Sequence, residues 1–565
     1  MKKTLLKLFI PFVILCGVIA VVYPIPSYSY PSNAMVKVGI MDENYRTVEK
    51  TEVTLYGTEQ MTVTDMKNKD EILSVESGKY LTIRRTDGEY ILSYTDTETG
   101  ETVETSLRHD FSLNCANGVI GIKDFIRGGK PAMYRGELRL ISCPNKHNVF
   151  YLVNCLDVEY YLKGVVPCEM PVTFGLEALK AQAVAARVYS LTPRTKMSRV
   201  YDVVDSVASQ VYYGYNRESD IANKAIDETH GIVALYNDDM IIAVFSSTAG
   251  GYTESYSETF SDPITMQFPS PEKGYLVAKP DLPDFKPLDN EEDAYKFYST
   301  KPLSYDIHSP LYRWTRKWTK EELQNVLKNN LVVQSKTGFV EPRLTNANDF
   351  GELKSIKVSQ RGVSGKVVFM EIETDKTIYT VGKELVIRRL FTKDGKALPS
   401  ANVVFKRKYK GQDSDDKWDE IIAYGGGFGH GCGLSQYGAM YMAKDCKMSF
   451  DTILKHYYNG ICLGTRPFEL GMHFVPQTFY MPSKTAILVI PNKHDMNNLQ
   501  IKVDEEIINL DLSKFKHNSR VELDISQYLK PKRLNTVTFT PPCQNKMDTR
   551  RFDKIRPIKM YIKLG

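Results

Sequence analysis

Short runs in which apolar and polar residues alternate dominate the first part of the chain: Val36-Lys-Val-Gly-Ile40, Glu52-Val-Thr-Leu-Tyr56, Tyr80-Leu-Thr-Ile83 and Tyr90-Ile-Leu-Ser-Tyr94. Alternation with a period of two turns one face of each run toward a core, which predicts a β-rich part over 35–110. Tyr134–Ile141 and Val149–Val153 predict another hairpin across the polar turn Cys143-Pro-Asn-Lys-His-Asn148. The period then changes. Leu176, Leu179, Ala183, Val184 and Val188 recur at helical spacing, with Gln182, Ala186 and Tyr189 on a second stripe, so a helix over Leu176–Leu191 should be buried on much of its circumference. Further helices are predicted at Ser219–His230, from the capping-box start Thr319-Lys-Glu-Glu322 to near Asn330, around Gly382–Leu390, and over Ser435–Lys444 and Phe450–Tyr458. Strands resume at Leu353–Ser359, Gly365–Ile372 and Thr377–Val381, and again from Ala486 to Lys563.

This order of elements predicts an α+β chain. A mixed α/β core over 111–465 follows the N-terminal β-rich part, and composition shifts toward Pro, Asp and Lys mark an inserted segment at about 261–351. A separate small β-sandwich is expected over 466–565. With 565 residues the chain exceeds a single core, in keeping with several domains. Residues 1–25 read as an export signal or membrane anchor: Lys2, Lys3 and Lys7 stand before an apolar run from Leu8 to Tyr23, and Leu5–Tyr23 as a helix reaches roughly 30 Å. The lysines keep that end cytoplasmic, so the rest of the chain is expected outside the cytoplasm, anchored or secreted.

Charged and apolar fractions of 25% and 42% are ordinary for a globular chain. The net charge of +5 is small for this length, and no basic tract with interleaved aromatics points to nucleic acid. Thirty-five tyrosines suit either wet, sugar-holding grooves or ordinary sheet. Cys16 lies in the apolar run; the remaining eight cysteines are an even number, consistent with disulfides in an oxidising compartment. No Cys-x-x-Cys occurs and the nine histidines are scattered, so no metal or other cofactor is expected.

Three features carry candidate chemistry. In Val165-Val-Pro-Cys-Glu-Met-Pro171, two prolines predict a rigid loop opening onto the Ala-rich helix, with Glu169 in an apolar setting. Desolvation raises a carboxyl pKa and suits a general acid; a carboxylate charging the first turn of the following helix is the other reading. Arg187, on a mostly buried helix, needs an acceptor, either Glu169 or a substrate oxygen. Tyr424-Gly-Gly-Gly-Phe-Gly-His-Gly-Cys-Gly433 allows close backbone approach, with His430 and Gln436 at hand. The Lys-Ser/Thr of a phosphate loop is missing, and a Cys432 nucleophile with His430 as base lacks a third orienting group.

Six blocks, in order, resemble the SpoIID/LytB family of bacterial cell-wall proteins: Tyr160–Pro171, Glu177–Arg187, Ser209-Gln-Val-Tyr212, Ser246–Glu254, Gly429–Ala439 and Ile453–Tyr458. The resemblance implies a peptidoglycan lytic transglycosylase, which cleaves between N-acetylmuramic acid and N-acetylglucosamine and leaves a 1,6-anhydro-muramyl end. Its catalytic glutamate falls on Glu169. One carboxyl suffices when the sugar's own C6 hydroxyl attacks, unlike the paired carboxylates of glycosidases. Arg187, Gln210, Ser246, Tyr252, His430 and Gln436 match polar positions of the blocks and are expected in the substrate groove. Implied partners are glycan strands and a wall amidase or other hydrolase, with the membrane reached through the N-terminal segment.

Two departures stand out. Cys168 and Cys432 replace residues usual in the family, and they would pair if both blocks line one groove. The zinc of some members is not expected, because Arg194–Ala208 holds neither Cys nor His. A non-catalytic wall-binding or amidase-enhancing protein is the rival reading, and a Cys432-dependent hydrolase a third.

Overall fold

Alternating buried and exposed side chains set the register of the N-terminal sheets, with Val53, Leu55, Leu81 and Ile83 inward while Glu52, Thr82 and Arg84 face out. The computed structural model describes residues 34–95, 99–192, 197–282, 286–409, 418–470, 473–494, 496–540 and 558–565. The N-terminal apolar segment with Cys16, parts of the Arg194–Ala208 interval and of the Asp281–Asp289 connection, and Cys543 lie outside the described residues. The fold is α+β, with long antiparallel sheets and a central helical layer.

Two sheets form the N-terminal module. One is six-stranded, running from Lys130–Tyr134 through Ile120–Arg127, Glu52–Gly57 and Tyr80–Thr86 to Thr102–Leu107. In the other, Met35–Gly39 lies between Phe150–Asp157 and the two-residue strand Val203–Val204. Sheet membership carries this module to Asp157, past the boundary expected at residue 110. Met61–Asp65 pairs with Phe111–Cys115, a long-range partnership that no local composition change announces.

Helix α1 (Val158–Glu169) starts where the last strand ends, N-capped by the Asp157 side chain. Glu169 was expected in a rigid loop; it is instead the last residue of α1. Pro167 sits inside the final turn, where it removes one amide but does not stop the helix. The break comes at Met170, which Pro171 holds extended (φ −128°, ψ 128°). Gly175, at φ +99°, then turns the chain into α2 (Leu176–Leu191). Buried Ala178, Ala181, Ala183, Ala185 and Ala186 let α1, α3 (Asp220–Asp227) and the helices Gln436–Lys444 and Phe450–Tyr457 approach α2 closely.

The insertion has its own core, built on Trp314, Trp318, Leu323, Leu327 and Phe391. Its helix Lys320–Gln334 opens on the expected capping box, Thr319 and Glu322 exchanging two bonds of 3.1 Å. The insertion does not stop near Gly351: Leu353–Arg361, Val367–Thr374 and Ile378–Gly382 pair with one another and pack into that same core. The polar composition ends at Gly351, but the pairing does not.

The C-terminal strands form two sheets, one of which is shared. Ile558–Leu564 pairs with Ala486–Ile490 on one side and with Cys462–Thr465 on the other, and the latter pairs with Ile232–Tyr236. The sandwich is thus continuous with the core rather than separate, and its apolar residues belong to the main cluster. Among the described residues no helix is long and apolar enough to cross a membrane.

Candidate active site

Glu169 ends α1 half-buried, and its Oε1 accepts the Val211 amide at 2.6 Å. Tyr161 on α1 and Tyr189 on α2 stand close enough that, after burial, a charge on Glu169 is the next cause raising their hydroxyl pKa values. Burial dominates at Glu169 too. It pushes the carboxyl up to about 7, and the Val211 amide only partly offsets this. The negative end of the α1 dipole adds to the disfavour of a charge at this position. The reading of Glu169 as a carboxylate charging the first turn of α2 fails, because the acid bonds to Val211 and lies across an intervening turn from α2. A carboxyl protonated near neutrality and bearing one donor is equipped to give up a proton and take one back.

The donor loop is Asp202–Glu218. Gln210 is fully buried within it: Tyr161 donates its hydroxyl to Gln210 Oε1 (3.1 Å), and Nε2 donates to the Ala186 carbonyl (3.4 Å). Gln210 therefore ties the loop to α1 and α2 and does not face a groove. Tyr212 donates to Asn154 at 2.7 Å, and the Tyr213 amide and Arg217 both bond the Cys168 thiol.

Arg187 is buried away from any groove and does not meet Glu169. Its guanidinium makes a two-pronged pair with Glu159 (2.7 and 2.6 Å) and also donates to the Ile232 carbonyl (3.1 Å). Glu159 in turn accepts the Gly231 amide at 3.2 Å. The pair fastens α2 to α1 and to the strand beyond α3, so Glu159 is the structural acid that the sequence left unnamed.

The glycine-rich block is threaded against Ser246–Glu254. Phe245–Ser246 pairs in parallel with Leu434–Ser435, and Thr248 bridges to Phe428. Gly429, at φ +101°, passes so near Ser246 that a Cβ there would come within 2.8 Å of the serine's own. Ser246 is buried, and so is Tyr252, which donates to the Lys286 carbonyl and meets Phe297 edge-on at 5.5 Å. His430 Nδ1 accepts the Cys432 amide at 3.1 Å, and the ring also bonds the Phe245 backbone. Burial, followed by the nearby Lys366 and Arg388 charges, holds His430 down to about 3. The imidazole is held neutral. Gln436 donates to Gln182 at 3.2 Å and joins its helix to α2.

The cysteine expectations fail as well. All seven described cysteines are free. Cys168 faces Arg217, whereas Cys432 is wholly enclosed beside Lys366 and Glu254, so the two thiols occupy different surroundings and do not pair. Burial raises the Cys432 thiol far above its ordinary value, and its own amide occupies His430, which removes the nucleophile reading. Besides the Gln436–Gln182 bond, α2 meets the Phe245–Ser246 strand through rings, Tyr189 lying edge-on to Phe245 at 6.4 Å.

A second buried acid, Glu254, also went unnoticed in the sequence. It accepts from Asn402 (2.6 Å) and Ser364 (2.5 Å) of the insertion, with Lys366 at 3.9 Å. Lys366 also donates to the His430 carbonyl at 2.6 Å. The insertion thereby braces the glycine-rich block from behind.

Residues 146–236, which contain α1, α2 and the Val211 loop, match the family model described as SpoIID, stage II sporulation protein. Residues 255–433 match a domain of unknown function, DUF8618. An amidase enhancer of Bacillus subtilis (strain 168) is 33% identical over 307 residues, 54% of this chain but only 40% of that protein. A stage II sporulation protein D of the same organism is 28% identical over 336 residues, 57% of this chain and 78% of its own length. An uncharacterized protein of Brachyspira hyodysenteriae is 29% identical over 330 residues, covering 58% and 71%. The SpoIID match falls on the segment that builds the acid and its donor loop, and these relatives align with more than half of the chain: over those residues the chain is similar to the SpoIID family.

Proposed function

We propose that this protein acts on the bacterial cell wall as a peptidoglycan lytic transglycosylase, with Glu169 as its lone acid and base. The observation that carries the reading is the carboxyl itself: desolvated, pushed up to about 7, held by one amide and flanked by Tyr161 and Tyr189. In the first step Glu169 protonates the glycosidic oxygen between N-acetylmuramic acid and N-acetylglucosamine as that bond breaks. The resulting carboxylate then takes the proton of the C6 hydroxyl as that oxygen closes on C1, giving the 1,6-anhydro end and restoring the acid. No second carboxylate is needed to hold a water. The reading places the protein outside the cytoplasm, held at the membrane by the N-terminal segment or released, with glycan strands as substrate.

The printed name of the amidase-enhancer relative supports a second reading, in which the chain binds the wall and assists an amidase without cutting glycan. Product masses separate the two. Purified protein incubated with peptidoglycan or peptide-stripped strands should give anhydro-muramyl ends. Intact strands, with faster peptide release only when an amidase is added, would favour the enhancer.

A further inference from the structure

The loop that supplies the Val211 amide is held on both sides of Val211 by one residue of the N-terminal module, directly on one side and through Tyr45 on the other. Arg127, 1% exposed, donates Nε to Asp205 at 2.8 Å and Nη2 to the Met41 and Asp42 carbonyls at 2.8 and 3.0 Å. Asp205, wholly buried, also accepts the Met41 amide at 2.9 Å. The same guanidinium lies 4.4 Å from the centre of the Tyr45 ring, and the Tyr45 hydroxyl bonds that of Tyr213. The Tyr213 ring packs on Gly128, where a Cβ would come within 2.5 Å of it. Arg127 thus touches the loop directly at Asp205 and, through Tyr45, at Tyr213, with Val211 between the two. Around it the module adds Lys130 Nζ to the Asn216 carbonyl (2.9 Å), Asn216 to the Pro131 carbonyl (2.8 Å) and a bridge from Met133 to Gly214.

We infer that Arg127, paired with Asp205, is a positioning residue that sets the Val211 amide against Glu169, making the N-terminal module part of the reaction centre. The inference rests on Glu169 being the reacting acid. An ion pair buried this completely is weak evidence of net stability, since a well-packed apolar pair often serves as well, which leaves placement of the loop as its distinctive contribution. The groups facing Glu169 are Tyr161 and Cys168 on α1, Tyr189 on α2 and, behind Cys168, Arg217 on the loop. The Val211 amide favours the ionised carboxyl, so loosening the loop should leave the acid protonated to higher pH.

Carbodiimide labelling of Glu169 in the full chain, read by peptide mass against pH, reports its protonation whether or not the protein cuts glycan. The double variant R127M/D205N removes both charges together and leaves neither buried alone. It should move the labelling midpoint upward by about one pH unit. Leu92→Ala, a cavity in the same module remote from the loop, should lower thermal stability and leave the midpoint in place. Should the double variant fail to fold, R127K retains a cation opposite Asp205 without the forked reach to both carbonyls, and should move the midpoint in the same direction by less. An unmoved midpoint in the folded variant, or an equal movement in Leu92→Ala, would overturn the role assigned to Arg127. Such a result leaves the reaction proposed for Glu169 standing, and loss of that reaction would not alter the labelling result.

Discussion

Glu169→Gln should stabilise the protein at alkaline pH while removing its chemistry. Burial lifts the carboxyl from near 4.5 to about 7, so between those values the folded protein holds a proton that the unfolded chain has released. Stability therefore falls as pH rises through that window, and the whole cost is present above it. At about 1.4 kcal/mol for each pH unit, the displacement corresponds to roughly 3 kcal/mol. Glutamine is neutral throughout, keeps the volume and still offers the Val211 amide a carbonyl oxygen. The variant should match the wild type near pH 4.5 and exceed it by up to about 3 kcal/mol near pH 8. Each kcal/mol moves the midpoint of a cooperative unit of about 150–250 residues by roughly 2–4 °C. Thermal unfolding of the two proteins at several pH values between these limits reads the difference. A gap independent of pH, or one that narrows as pH rises, would refute the desolvated carboxyl.

Arg187→Met should cost about 3–5 kcal/mol, because it leaves Glu159 buried without its cation, and Arg187→Met combined with Glu159→Gln should recover most of that in urea unfolding. Turnover of glycan strands should decline above about pH 7, since Glu169 must arrive protonated; initial rates that climb steadily to pH 9 contradict the acid role. Iodoacetamide at pH 8 should label exposed Cys446 first, Cys168 later because its thiol is held up to about 11, and Cys432 last. Activity should survive labelling of Cys446 and should persist in Cys432→Ala; prompt loss on modification of Cys432 would revive the thiol reading.

Much of the fold was legible because its signals are local. Period-two runs marked the strands, the Ala-rich stripes marked α2, and Thr319 with Glu322 marked a helix start that the structure reproduces bond for bond. What escaped was set by partners far along the chain. Pro167 and Pro171 signalled a break, but only packing decides that α1 runs through the first and stops at the second. Arg187 needed an acceptor, and Glu159 and Glu169 offered the same chemistry; the nine residues between them place only Glu159 beneath the guanidinium. Polar residues matched to the family blocks read as groove-facing, yet Gln210, Tyr252 and Gln436 spend their hydrogen bonds joining elements. The Val211 amide has no side-chain signature at all. Its approach to Glu169 depends on a loop fixed by Asp205 and Arg127, whose partnership crosses 78 residues.

The most direct measurement is the mass spectrum of glycan strands digested by the wild-type protein and by Glu169→Gln, in the absence of any amidase. The account predicts 1,6-anhydro-muramyl products from the wild type and none from the variant, with both proteins equally folded. Anhydro products from Glu169→Gln at the wild-type rate, or reducing ends from either protein, would contradict it.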